Sequence, residues 1–342
     1  NTGSVSSMAT AAVVKKDGPH APTGSIAVKN ITAGGFTYTA IAGQQYAITT
    51  NNIAPGTDSS EWKTETAGDV VVTGKNANTE YYIYTRFAET DEAYAGAASG
   101  GTKVKTRMSA AASEFTYSTK EAVYTGSANG ATVSSVAHSG KFALKYNGAD
   151  TVPTNAGKYN LTAEVTAHDD YAATTVELGT WEIKPLEVTL TWSGHAARTY
   201  DGNNSNVTAT VSNKKGTDVV NVTVTGGTEA NAGSHTATAN ALTGAAASNY
   251  KLPSTKPTQP YTINAATITV GTDAFTDYTG VYDGNSHSIK VDTSKITTVN
   301  GQPITIKYGT TSSTYDLDAA PTATNVSESM TVHYKITAPN HK

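Results

Sequence analysis

In a chain of 342 residues with 24 basic and 28 acidic side chains, the formal charge of −4 is spread thinly and no Lys/Arg stripe forms, which excludes nucleic acid and anionic membrane as partners. Hydrophobic residues make up only 37% and charged ones 15%, while Thr, Ala, Gly, Ser and Tyr are plentiful, a balance suited to several small modules of short strands with polar outer faces. Cysteine is absent and no apolar run reaches the ~18 residues of a membrane span, so neither disulfides nor membrane insertion is expected.

Residues 1–20 are rich in Ser, Thr and Ala and end in Asp17-Gly18-Pro19-His20-Ala21-Pro22, which reads as a tail or linker. The start, Asn1-Thr2-Gly3-Ser4, has neither the basic end nor the apolar stretch of a signal peptide, so the chain is expected to be a mature fragment. In residues 21–108 the run Tyr81-Tyr82-Ile83-Tyr84-Thr85-Arg86-Phe87 alternates with the strand period, placing Tyr81, Ile83, Thr85 and Phe87 on one face. Trp62 and Phe87 are the expected core anchors, and Tyr82 and Tyr84 the expected surface tyrosines, candidates for binding a glycan or a protein. The stretch from Asn78 to Thr90, with Gly96-Ala97-Ala98-Ser99 and Lys103-Val104-Lys105-Thr106, resembles the last two strands of fibronectin type III-like modules in bacterial surface proteins.

Beyond the Ala-rich segment at 109–112 the chain repeats itself. Tyr124-Thr125-Gly126 and Tyr200-Asp201-Gly202 are each followed after 31 residues (155 − 124 and 231 − 200) by Asn-Ala-Gly, at Asn155-Ala156-Gly157 and Asn231-Ala232-Gly233. Tyr282-Asp283-Gly284 reaches its counterpart, Asn325-Val326-Ser327, after 43 (325 − 282). A fixed period of this length signals tandem modules. Repeat one contains Lys141-Phe142-Ala143-Leu144-Lys145-Tyr146 ahead of Asn147-Gly148, and repeat three carries Asn300-Gly301 between two apolar runs. Asn-Gly tolerates positive φ at both positions, so both sites are expected to be hairpins.

Repeats one and two close with aromatic-x-Ile strands, Trp181-Glu182-Ile183-Lys184 and Tyr261-Thr262-Ile263-Asn264. The next strand, Leu186 to Trp192 or Ala266 to Val270, follows within a few residues, leaving no room for a flexible linker, and Pro185 stiffens the first junction. Aligning His341 with Tyr171 and Tyr250 puts the third closing strand past Lys342, so repeat three is expected to be truncated with an open sheet edge. The Ala-rich stretches Met108 to Glu114 and Ala241 to Asn249 lack an apolar face at helical spacing and read as loops or single turns. The expected fold is all-β: tandem immunoglobulin-like β-sandwich modules in an elongated array, divided as a fibronectin type III-like sandwich over 21–108 and repeats over 113–185, 186–265 and 266–342.

The succession Tyr-(Asp/Thr)-Gly, Asn-Ala-Gly, then Asp170-Tyr171 or Asn249-Tyr250, then an aromatic-x-Ile strand, resembles the YDG/MBG-type immunoglobulin-like repeats of bacterial cell-surface proteins. Repeat three departs from the pattern, with Asn325-Val326 for Asn-Ala-Gly and Pro339-Asn340-His341 for Asn-Tyr. The resemblance implies a module of an adhesin-like, extracellular bacterial protein and a lineage that dispenses with cysteine.

The residues offer little chemistry. Tyr faces bind sugars and Asp ligates calcium, but three tandem Tyr-(Asp/Thr)-Gly stretches read as a folding signature in which Tyr packs at a strand end and Gly makes the turn. His168-Asp169-Asp170 lacks the alternating oxygens of a calcium loop, and the other histidines are scattered singly. No catalytic motif, metal site or cofactor site is found, and the Asn-x-Ser/Thr sites at Asn30, Asn160, Asn203, Asn206, Asn221 and Asn325 reflect composition. In cysteine-free surface modules a Lys–Asn isopeptide bond is the alternative covalent crosslink. The expected function is that of a monomeric, non-catalytic structural or adhesive stalk. One alternative is a module that binds a host glycan or protein, and another is the accessory region of a secreted glycan-degrading enzyme.

Overall fold

The computed structural model describes residue 3 and residues 12–342, and divides into two compact units. One runs to Glu121 and takes in residues 130–153 and 158–182; the other comprises residues 122–129, 154–157 and 183–342. The fold is all-β. No α-helix occurs among the described residues, and the two Ala-rich stretches contain single 3-10 turns at Ala112–Glu114 and Ala247–Asn249.

In the first unit, Glu80–Phe87 is the central strand of a four-stranded sheet with Lys63–Thr64, Gln44–Thr49 and Thr102–Lys105, and a three-stranded sheet of Val28–Lys29, Phe36–Ala40 and Gly68–Val72 provides the partner layer. Phe36, Tyr38, Tyr46, Tyr81, Ile83 and Val104 form the core, since alternate side chains of each strand face inward. The opposite face is covered as well: Ala47, Trp62 and Tyr84 make a second cluster, with the Arg86 guanidinium 4.4 Å from the Trp62 ring. Trp62 is thus an anchor as expected. Two other expectations are overturned. Tyr84 is buried rather than at the surface, its hydroxyl donating to Asn52 Oδ1 at 2.9 Å, because two loops, one carrying Asn52 and the other Gly101, close over it. Phe87 is 36% exposed rather than an anchor, because it sits opposite Gln44 at the end of the strand pairing, past the last core layer.

Of the segment expected to be a tail, residues 1, 2 and 4–11 lie outside the described residues. The described part is tied down: Lys16 bridges Ala93, with Lys16 N–H donating to Glu92 O at 2.9 Å and Tyr94 N–H to Lys16 O at 3.0 Å.

Repeat one carries a four-stranded sheet in the order Glu121–Val123, Thr174–Lys184, Gly157–Val165, Phe142–Tyr146. Repeat two has the same order in Arg198–Thr199, Thr258–Asn264, Gly233–Thr243 and Asn221–Thr225. In both, the closing aromatic-x-Ile strand lies between the strand that leads into the signature Tyr and the strand that follows Asn-Ala-Gly. Trp181 and Ile183, like Tyr261 and Ile263, are buried. The run from Leu186 to Trp192 is not one strand. Leu186–Glu187 pairs in parallel with Tyr250–Lys251, whereas Leu190–Ser193 pairs antiparallel with Thr208–Val211 in another sheet. Repeat three holds three two-stranded sheets, Thr269–Val270 with Ile296–Thr297, Phe275–Thr276 with Lys290–Val291, and Thr305–Gly309 with His333–Thr337.

Asn147-Gly148 makes the expected tight turn: φ is 50° and 81°, and Tyr146 and Ala149 exchange both backbone bonds. Asn300-Gly301 also has positive φ at both positions, 55° and 60°, yet joins no hairpin. The strands before and after it belong to different sheets, because residues 302–304 hand the chain from one layer to the other.

Candidate functional site

The three signature turns are built alike by local chemistry. Gly126, Gly202 and Gly284 have φ of 82°, 82° and 74°, a region in which a side chain is strained. One side chain back-bonds each turn, accepting from the N–H two residues on: Thr125 Oγ1 accepts from Ser127 N–H at 3.4 Å, Asp201 Oδ1 from Asn203 N–H at 2.9 Å, and Asp283 Oδ1 from Asn285 N–H at 2.9 Å. These bonds hold the Asp201 and Asp283 carboxyls below their ordinary range. For Asp283 the larger cause is the His287 ring at 2.9 Å, and the pKa falls to about 2.

What lies on the turns differs. Tyr124 and Tyr200 are buried, whereas Tyr282 is 62% exposed. In the second unit, Tyr124 is covered by Asn249-Tyr250 of repeat two. The two phenol rings meet edge-on at 5.5 Å, and both hydroxyls donate to the same oxygen of Asp218, at 2.8 and 2.7 Å. Lys215 N–H donates to the Tyr250 hydroxyl at 2.7 Å. Burial, reinforced by the Asp218 bond, raises both phenols, Tyr250 to about 12. Beside them Asn249, 5% exposed, spans the gap: its Oδ1 accepts from Ala156 N–H at 2.8 Å and its Nδ2 donates to Asn155 Oδ1 at 3.1 Å.

The same arrangement recurs between repeats two and three. Asn340 Oδ1 accepts from Ala232 N–H at 2.8 Å, and Asn340 Nδ2 donates to Asn231 Oδ1 at 3.2 Å. His341 takes the place of Tyr250, its ring 5.6 Å from Tyr200 at 73°. Because His341 Nε2 accepts from Val299 N–H at 2.9 Å, its proton is assigned to Nδ1, which donates to Pro339 O at 2.6 Å. At the first two signature glycines the next repeat leaves no room for a side chain. A Cβ on Gly126 would stand 2.7 Å from Lys215 Cβ, and one on Gly202 would overlap the Asn300 side-chain amide.

Each junction is sealed by one short parallel pairing between the connecting residue and the aromatic. Leu186 faces Tyr250 and Ala266 faces His341, with Ala266 N–H donating to Asn340 O at 2.9 Å and Lys342 N–H to Ala266 O at 2.8 Å. In the first unit Met108 faces Tyr171 in the same register, with Met108 N–H donating to Asp170 O at 2.8 Å and Ala172 N–H to Met108 O at 2.9 Å. Tyr94-Ala95-Gly96, the Tyr-x-Gly of residues 21–108, has no positive φ at its glycine, and at this joint Arg107 Nη1 donates to Asp169 O at 3.1 Å instead. Tyr171 turns into its own repeat, donating to Glu114 Oε1 at 2.6 Å and packing 4.6 Å from the His138 ring. His138 is fully buried, with Nε2 3.2 Å from Glu114 Oε2 and Nδ1 3.2 Å from His168 Nε2. His138, read as isolated, is therefore a neighbour of His168 of the His168-Asp169-Asp170 triplet.

Of the residues singled out from sequence, Tyr124, Gly126, Asn155, Tyr200, Asp201, Gly202 and Asn231 lie at these joints, and Gly157 and Gly233 open the strands that follow. Tyr282, Asp283 and Gly284 form the third turn. Tyr82 lies away from them on the central strand of the first sheet, half-buried with its hydroxyl donating to Glu80. Sequence reading missed the role of Asn249, Asn340 and Asp218, although an Asp- or Asn-aromatic pair, Asp170-Tyr171, Asn249-Tyr250 and Asn340-His341, recurs in the three repeats. Among the described residues no group of His, Asp and Glu is arranged to hold a metal ion.

The model of the MBG domain matches residues 113–185. No curated protein matches the chain. Among solved structures, the N-terminal eight immunoglobulin domains of Down syndrome cell adhesion molecule isoform 1.30.30 are similar at 12% identity and a TM-score of 0.23, over 85% of this chain and 43% of that one. The FN1–FN3 domains of chicken CNTN1 are similar at 11% identity and a TM-score of 0.18, over 95% of this chain and 89% of that one.

Proposed function

We propose that this chain is a non-catalytic spacer region of a bacterial cell-surface protein, in which successive repeats are locked end to end so that they hold another part of that protein in place. The observation that carries the proposal is the joint made twice in the second unit: connecting residue paired with the aromatic, Asn side chain capping the Asn-Ala turn, and aromatic stacked on the signature Tyr. Side-chain atoms from both repeats close this joint, so it resists bending in a way that a polar linker does not. The MBG-domain match over 113–185 supports a surface-protein setting. Burial of Tyr84 counts against a sugar-binding pair in the first module.

The absence of cysteine makes the test direct. Spin labels on cysteines placed at the exposed positions Thr225 and Thr305, one in each of repeats two and three, report the distance distribution across the joint. A narrow distribution that broadens in Asn340→Ala supports a locked joint. A broad distribution in the parent chain refutes the spacer role.

A further inference from the structure

Glu114, His138 and His168, all in the first unit, form a hydrogen-bonded chain that ends on a backbone carbonyl. Glu114 Oε2 stands 3.2 Å from His138 Nε2, His138 Nδ1 3.2 Å from His168 Nε2, and His168 Nδ1 2.8 Å from Thr166 O. Both ends of the chain only accept. Thr166 O is a carbonyl, and the Glu114 oxygens already take the Tyr171 hydroxyl at 2.6 Å and Ala111 N–H at 2.7 Å. These bonds, with that of the His138 ring, hold the Glu114 carboxyl below its ordinary range, so it is a carboxylate. Three gaps need three protons, whereas two neutral imidazoles bring two. Any pair of neutral rings therefore leaves two lone pairs facing each other across one gap, and the chain is complete only when one ring is an imidazolium.

The neighbours place that charge on His168. Thr166 O takes its Nδ1–H, and both Ala137 O, at 3.3 Å, and His138 Nδ1 face its Nε2, so its nitrogens meet acceptors alone. His138, fully buried, is then neutral with its proton on Nε2 toward Glu114. The other titratable and charged groups around the pair are Tyr171, whose ring stacks on His168 at 5.3 Å and 19°, Asp169 and Asp170 on the same loop, and Arg107, whose Nη1 donates to Asp169 O and Tyr171 O. Lys141 meets the loop through its carbonyl, which accepts from Thr166 N–H at 2.9 Å. The loop is tight: His168 and Tyr171 exchange both backbone bonds, and Asp169 between them has a φ of 44°, which persists only while the surroundings impose it. His168 therefore pins the loop whose carbonyls receive Arg107 and whose Tyr171 pairs with Met108.

We propose that this chain is a proton-held clasp on the joint at Arg107 and Met108: with the extra proton it fixes the loop of residues 166–171 against the connecting segment, and without it His168 swings out and the joint loosens. His168 is the ring that leaves, because it is half-exposed while His138 is buried and held by Glu114. The closed clasp holds a proton that the open one gives up, so protons favour closure. Its contribution is present on the acid side of the histidine range, around pH 6.5, and is lost as pH rises through it. The joint at Leu186 and Tyr250 is built on Asp218 and Asn249 instead, and so provides an internal control.

Amide hydrogen exchange of the full chain reads the clasp, since Met108 N–H and Ala172 N–H donate across its joint to Asp170 O and Met108 O. Between about pH 6 and about pH 8 their protection, corrected for the intrinsic rise of exchange with pH, is expected to fall about tenfold or more, while Val188, which donates to Lys251 O at the next joint, keeps its protection. His168→Gln offers an uncharged N–H toward His138 Nδ1 and is expected to remove the pH step. Imidazole nitrogen chemical shifts of the parent chain at about pH 6 are expected to show one neutral ring protonated on Nε2 and, bonded to it, one imidazolium. Two neutral rings at that pH, no step in the parent, an equal step at Val188, or a step of the same size in His168→Gln overturns the proposal.

Discussion

Removing the Asn249 side chain tests whether the repeats are joined by specific bonds or merely adjacent. Asn249 is almost fully buried, and Asn249→Ala deletes an acceptor for Ala156 N–H and a donor to Asn155 Oδ1. A net neutral hydrogen bond contributes about 1 kcal/mol, and stranding a buried donor costs about 1–3 kcal/mol. Asn155 is exposed and regains water, whereas Ala156 N–H is half-buried and pays more. The expected loss is about 2 kcal/mol. Attribution to the joint needs a double-mutant cycle in urea: Asn155→Ala, Asn249→Ala and the pair should show a coupling energy of about 0.5–1.5 kcal/mol. Asn340→Ala, in the less buried copy of the joint, should cost about 1 kcal/mol. A coupling of zero, or an Asn249→Ala chain that melts like the parent, would refute the argument that these amides hold neighbouring repeats together.

Three further outcomes follow from the same geometry. Tyr200→Ala removes a buried aromatic and should cost about 3 kcal/mol; since His341 and Gln302 rest on Tyr200, calorimetry should show repeat three loosened as well as repeat two. Gly126→Ala and Gly284→Ala share the strain of positive φ, about 1 kcal/mol, but only the first also drives a methyl into Lys215, so urea midpoints should drop further for Gly126→Ala. Burial and Asp218 raise the Tyr124 and Tyr250 phenols above their unfolded value, so their contribution is complete below about pH 10 and is lost as pH climbs toward about 12; stability measured across that window should fall less in Tyr124→Phe than in the parent chain.

The amino-acid sequence by itself determined what depends on neighbours along the chain. Strand alternation in Tyr81 to Phe87, the positive-φ turns at Asn147-Gly148 and at the three signature glycines, and the repeat of Tyr-x-Gly with Asn-Ala-Gly all arise from preferences of adjacent residues, and the structure shows them where they were expected. Tertiary structure decided what depends on surfaces brought together from far apart. Alternation along the strand assigns Phe87 to the core face and Tyr84 to the surface, yet the second layer around Trp62 buries Tyr84 while the end of strand pairing leaves Phe87 exposed. Asn300-Gly301 has the dihedrals of a hairpin turn but joins two different sheets, because pairing partners are chosen by layer packing and not by the turn. Asn249 and Asn340 mark the repeat in the sequence, but their bonds exist only because the preceding repeat places an Asn-Ala turn against them. Tyr124 and Tyr282 sit in nearly the same local sequence and the same turn. One is buried and the other exposed because burial is set by the neighbouring repeat and the closing strand, information that no local stretch of sequence carries.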